Sequence, residues 1–175
     1  MTAVAGVVFA ASNWNTYIRD NFNAIGVGVM NSGGNRYLAG TGVGSVAERD
    51  PSIATVTTGQ STTSTTYVNL ATVGPSVSVT TGGKALICIA SSVTNNTGGM
   101  GGRVAADLSG ATTSAASDTN SLLFESGGAL DAFQGTWTTV YTSLNSGTNT
   151  FAHKYRLVGT GQATFGNRNM TVVPF

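Results

Sequence analysis

Charge is scarce in this 175-residue sequence. Asp, Glu, Lys and Arg make up 9% of it, against roughly 25% in an ordinary domain, and the formal net charge is +1. That excludes electrostatic nucleic-acid binding, which needs clustered Lys and Arg. The one cysteine, Cys88, excludes an internal disulfide framework and a Cys-rich zinc site. The one histidine, His153, removes most catalytic triads and His-based metal sites. No apolar run reaches the roughly 18 residues of a membrane-crossing helix. Met1–Ser12 is apolar but short, and it lacks the basic lead of a secretory signal, since the first positive charge is Arg19. The expectation is a product made, or assembled, in the cytoplasm.

What remains is glycine, hydroxyl residues and enough apolar side chains to build a core. Glycine occurs 24 times and hydrophobic residues form 41% of the chain. Trp14, Ile18, Phe22 and Ile25 recur at helical spacing, with Ser12 or Asn13 as a cap and Gly26 as a stop, which predicts a short helix over about 13–25. About three turns of helix are marginal alone and need a surface to pack on. From Gly26 to Asp50 the chain is rich in Gly and Asn, so an extended arm with no regular element is expected. Residues 1–50 thus read as an arm carrying one helix.

From Pro51 the period changes to two, and residues 51–175 read as a β domain. Ile53–Thr57, Tyr67–Leu70 and Val77–Thr80 alternate and are rich in β-branched residues. Ala85–Ala90 is apolar throughout, which predicts a central strand covered on both faces with Cys88 as an inert core thiol. Further strands are expected at Arg103–Leu108, Leu122–Glu125, Trp137–Leu144, Thr150–Val158 and Met170–Val173. Turn signals at Gly82-Gly83, Asn95–Gly99, Gly127-Gly128, Asn145–Gly147 and Gly159–Gly161 separate them. The fold expected is mainly β: an antiparallel β-sandwich or jelly roll of about eight strands.

Chemistry finds little foothold. Gly40–Gly44 lacks the third glycine and the following helix of a dinucleotide fingerprint, and Gly82-Gly83-Lys84 lacks the Ser or Thr of a P-loop and reads as a hairpin turn. His153 falls on an inward face between Phe151 and Tyr155, with no nucleophile or orienting acid beside it in sequence. The carboxylates are spread thinly, and only Asp107 with Asp131 is worth testing as a glycoside-hydrolase pair. No loop carries the alternating oxygens of a calcium site. Neither a cofactor nor a metal is expected, and no catalysis.

A low-charge sandwich with Thr, Ser, Ala and Gly facing outward has little to discourage association, and charge depletion is the mark of an interface core. On the arm, Trp14, Tyr17, Ile18, Arg19, Phe22 and Tyr37 are the candidate partner-binding residues, the aromatics serving as anchors.

The segment Ala11–Phe22, with its Asn-Thr-Tyr-Ile-Arg-Asp-Asn core at 15–21, resembles one that recurs near the N-termini of tailed-bacteriophage virion proteins. Ser64–Leu70 and Gly74–Val79 resemble the first strands of the β domain in those proteins. Asn149–Phe151, Lys154–Arg156, Phe165–Arg168 and Val172–Phe175 resemble its closing strands. Two positions depart from the pattern: Asn69 stands where an acid is expected and His153 where an aliphatic residue is expected. The resemblance implies a jelly-roll-like virion component, trimeric in that family's manner, most like a capsid decoration (cement) protein on the outer surface of the head. Its implied partners are the major capsid protein and neighbouring copies of itself, with no nucleic acid and no membrane. The alternative is a tail or head-fibre tip that binds host glycans, with Trp137 or Tyr141 as stacking aromatics.

Overall fold

A computed structural model describes residues 36–42 and 45–175. The helix expected over 13–25 lies outside the described residues. The backbone divides into two compact units at Arg49/Asp50. Within the first, β1 (Tyr37–Gly42) and β2 (Ser45–Arg49) form an antiparallel pair. This corrects the expectation of an arm with no regular element. Tyr37 lies opposite Arg49 and Leu38 opposite Glu48, and Arg36 pairs with Glu48 at 3.3 Å. The glycines gather at the turn end, where they interrupt the ladder between Gly40 and Gly42.

The second unit is all strand and connection. It comprises β3 (Ser52–Val56), β4 (Gln60–Thr62), β5 (Ser76–Thr81), β6 (Ala85–Asn95), β7 (Gly101–Gly110), β8 (Ser121–Glu125), β9 (Ala132–Tyr141), β10 (Gly147–Val158) and β11 (Ala163–Pro174). The only helical piece among the described residues of this unit is a 3-10 turn at Asp118–Asn120. No helix among the described residues is long and apolar enough to cross a membrane. One antiparallel sheet runs β3-β11-β6-β9, with β4 also on β11, and the other runs β5-β10-β7-β8. From β5 to β11 every connection except β7–β8 passes from one sheet to the other.

Period-two alternation makes each strand amphipathic, and the inward positions meet in one core. β6 contributes Ile87, Ile89 and Val93, and β11 contributes Phe165, Met170 and Val172. From the facing sheet come Val104 and Leu108 of β7 and Phe151, Tyr155 and Leu157 of β10. Space inside is tight: a Cβ on Gly102 would lie 2.7 Å from the Phe165 ring. Gly110 ends β7 at φ 98°, where a side chain would also meet the Thr148 carbonyl at 2.4 Å.

The structure revises four local expectations. Tyr67–Leu70 is not a strand: past the end of the β5 ladder the chain meets the β10 edge only at single points, Val68 bonding to Tyr155 in both directions at 2.9 and 3.0 Å and Leu157 N donating to the Ser64 carbonyl at 2.6 Å. β4 is too short and polar to announce itself in the sequence. Gly82-Gly83-Lys84 is not a hairpin turn but a link between sheets, β5 and β6 belonging to different ones. Finally, β6 is buried on alternate residues only, so Cys88 faces outward, half-buried, between Thr138 and Thr171.

Candidate functional site

The outward face of the β3-β11-β6-β9 sheet follows directly from the register. β6 places Leu86, Cys88, Ala90, Ser92 and Thr94 there, opposite the buried Ile87 and Ile89. β11 adds Thr164, Gly166, Asn169, Thr171 and Val173, in register with them across a bulge between Gly166 and Asn169. β9 adds Gln134, Thr136, Thr138 and Val140 on the other flank. Ile53 and Thr55 of β3 complete the face. None of these residues is Asp, Glu, Lys or Arg. The polar groups are small and largely satisfied by one another: Asn169 donates to Thr55 Oγ1 at 2.7 Å, and Ser61 and Thr164 hydroxyls lie 2.7 Å apart. At the two borders stand exposed aliphatics, Ile53 at 64% and Val140 at 46% of full exposure. The face is broad, uncharged and mildly apolar.

The outward face of the β5-β10-β7-β8 sheet is different. Arg103 and Asp107 of β7, Lys154 and Arg156 of β10, and Glu125 of β8 all point from it. Asp118, on the 3-10 turn, ties the arginines together. Arg156 Nε donates to Asp118 at 2.9 Å, with a second bond from Nη2, and Arg103 approaches it at 3.7 Å. Tyr67 donates its hydroxyl to the same carboxylate at 3.0 Å, and the Arg156 guanidinium lies 5.7 Å from the Tyr67 ring centre. The hydrogen bonds from Arg156 hold the Asp118 carboxyl below the usual carboxylate range. This network fastens the 64–70 loop and the 3-10 turn onto the sheet.

A third charge concentration is internal. Arg168 on β11 is fully buried and has no carboxylate partner among the described residues. It donates to the Thr72 carbonyl at 3.0 Å and the Thr58 carbonyl at 2.9 Å, pinning two loops, and lies 5.4 Å from the Tyr155 ring centre. The Tyr155 hydroxyl accepts from Arg168 at 3.5 Å, since a guanidinium only donates, and is 3.3 Å from His153 Nδ1. Burial, reinforced by the Arg168 charge, pushes His153 down to about 3, and burial pushes Tyr155 up to about 12. The imidazole is therefore neutral and too weak a base for proton transfer near neutrality. The sequence reading placed His153 on the inward face, where it is, but did not single out Arg168. An arginine in the alternating run after Gly166 was the available signal.

Of the arm residues proposed to bind a partner, Trp14, Tyr17, Ile18, Arg19 and Phe22 lie outside the described residues. Tyr37 stands on β1, half-buried, its phenol pushed up by burial. Asp107 and Asp131 are not brought together. Asp107 is on the outer face of β7, where it accepts from Ala116 N at 3.2 Å. Asp131 closes the turn before β9, accepting from Gly128 N at 2.6 Å. Among the described residues no cluster of His, Cys, Asp and Glu could hold a metal ion. Trp137 packs inward against the core. Tyr141 also turns inward, edge-on to Phe151 at 6.2 Å, and walls a groove of about 410 Å³ with Thr112, Ser114, Asn120, Thr142 and Ser143.

No family model and no curated protein matches this chain. Among solved structures it is similar to an exo-β-1,3-galactanase from Phanerochaete chrysosporium with galactose, at 15% identity and a TM-score of 0.31. That likeness covers 74% of this chain and 31% of the galactanase chain, and nothing of the enzyme's chemistry carries over with it.

Proposed function

We propose that this chain is a structural protein of a tailed-phage virion, a capsid decoration protein that cements the outer surface of the head. The sequence resemblance suggests the setting, and one observation supports the role: an entire sheet face without a charged side chain. A free protein gains solubility from scattered charge, whereas a surface buried in an assembly loses stability for every ion it must desolvate. The strand order also supports the expected fold, since β3-β11-β6-β9 facing β5-β10-β7-β8 is the order of a jelly roll. The mechanism is mechanical. The N-terminal arm, with Trp14, Tyr17, Ile18, Arg19, Phe22 and Tyr37, reaches the major capsid protein, the sheet face meets a neighbouring copy, and other edges close a trimer in the family's manner. Added contacts between capsomers resist the pressure of packaged DNA. No catalysis is part of this role. The test is deletion of residues 1–26 in the phage: heads are expected to lose the protein and to burst under milder osmotic shock. Retention of both the protein and the resistance overturns the cement reading.

A second reading has one observation in its favour. The uncharged groove beside Tyr141, lined by hydroxyls, suits a neutral sugar, as on a fibre tip binding host glycans. Labelled protein found at the tail, with adsorption lost on Tyr141→Ala and heads intact, supports that reading over the first.

A further inference from the structure

We infer that the uncharged face of the β3-β11-β6-β9 sheet pairs with the same face of a second copy, about a two-fold axis. This rests on the reading above that the face is buried in an assembly, and it names the occupant. Self-pairing asks a surface to be compatible with itself, and a face without ions meets its copy with no like charges opposed. A charged partner would instead lose hydration against a face that offers no counter-ion. The opposite sheet is less suited, because under the same axis β10 lies over β7 of the copy, setting Arg156 over the copy's Arg103, and Asp107, Asp118 and Lys154 would also lose hydration.

Size agrees. Strands of 5, 12, 11 and 10 residues, about 4.8 Å apart and rising about 3.3 Å per residue, present roughly 600 Å² per copy. Two copies bury about 1,200 Å², at the lower end of the range of a stable, specific interface. Apart from Leu86, Gln134, Asn169 and the border Ile53, the side chains are short, Thr, Ser, Ala, Gly and Val with Cys88 at the centre, so two such faces can approach at the roughly 10 Å of stacked sheets. With the two-fold axis along the strands, β3 of one copy lies over β9 of the other. The two exposed border aliphatics, Ile53 and Val140, are then carried toward each other across the pair. Each is an unexplained exposed apolar group in the single chain, and the pairing covers both.

Cys88, the only cysteine, stands in mid-face and reports on the contact. The full chain is examined by light scattering over a wide concentration range, with the rate of Cys88 alkylation by N-ethylmaleimide measured in parallel. The expected mass is two chains, or six if three-fold rings form through other edges, with alkylation at least tenfold slower in the associated form. Thr138→Lys, at an exposed position beside Cys88, should shift the association midpoint at least tenfold and restore fast alkylation without changing the thermal melt of the dissociated chain. Thr171→Lys serves if Thr138→Lys fails to fold, and Ser78→Lys on the other sheet should change nothing. A monomer at every concentration, a mass of three, or a monomer whose Cys88 is already slow overturns the pairing. So does a Thr138→Lys chain that is lost from phage heads while the unmodified chain is monomeric in solution. That last result leaves the virion role standing with a different protein on the face.

Discussion

The outward faces of the two sheets are built alike, from alternating strands rich in Thr and Ser, yet they divide the charge unequally. On one, Arg103, Asp107, Asp118, Lys154 and Arg156 lie close together and Asp118 bonds both arginines. On the other, every outward position of β3, β6, β9 and β11 is uncharged. Hydration explains what the difference means. Ions on an exposed sheet are stable in water and weakly tied, while a sheet face destined for burial is more stable without them. The low overall charge of the chain is thus concentrated into a property of one surface.

The largest expected effect separates the inside of the uncharged sheet from its outside. Ile87 and Leu86 are neighbours on β6, the first fully buried and the second half-covered. Ile87→Ala should cost about 2–5 kcal/mol in chemical denaturation, through lost burial and the cavity left behind. Leu86→Ala should cost about 1 kcal/mol or less in the dissociated chain and more under conditions where copies associate. Equal costs in the dissociated chain would mean that the outer face is already covered within one molecule.

The interior charge cluster gives the next effect. His153 is held near 3 when folded and returns to about 6.5 when unfolded, so the unfolded state binds more protons between those values. Its contribution is complete above pH 6.5 and falls by about 1.4 kcal/mol per pH unit as the solution is acidified toward pH 3. Burial first, and the Arg168 charge second, keep it neutral, with the Tyr155 hydroxyl 3.3 Å from its Nδ1. His153→Gln should flatten the pH dependence of unfolding between pH 4 and 6.5. A slope unchanged by that substitution would place the acid sensitivity elsewhere.

The smallest effect belongs to the charged face. Asp118 is half exposed, so Asp118→Asn should cost under about 1 kcal/mol, and less in high salt. Its depressed carboxyl contributes only above the usual carboxylate range and loses that contribution as pH falls. A cost of several kcal/mol, insensitive to salt, would mark this network as structural to a degree the uncharged face is not.

Much of the β domain was legible because alternation is written residue by residue. Val77–Thr80, Thr150–Val158 and Met170–Val173 all fall within strands, and Phe151, His153 and Tyr155 face the core as their spacing requires. Cys88 was misread for a definite reason. The run Ala85–Ala90 is apolar at both parities, and sequence cannot say whether the second parity meets a covering layer or water. Tyr67–Leu70 alternates like a strand, but it meets the β10 edge only at Val68, past the end of the β5 ladder, and that meeting is settled by residues far away in sequence. The paired strands at Tyr37–Arg49 were hidden by glycines that here sit at the turn end of the ladder.

By itself, the sequence determined that this protein is a low-charge β domain, with apolar residues spaced for one buried sheet face. Which strands share a sheet was decided only by tertiary structure, and with it the separation of a charged face from an uncharged one. Strand partners are chosen by long-range pairing and by the closing of one core, and no local pattern records either.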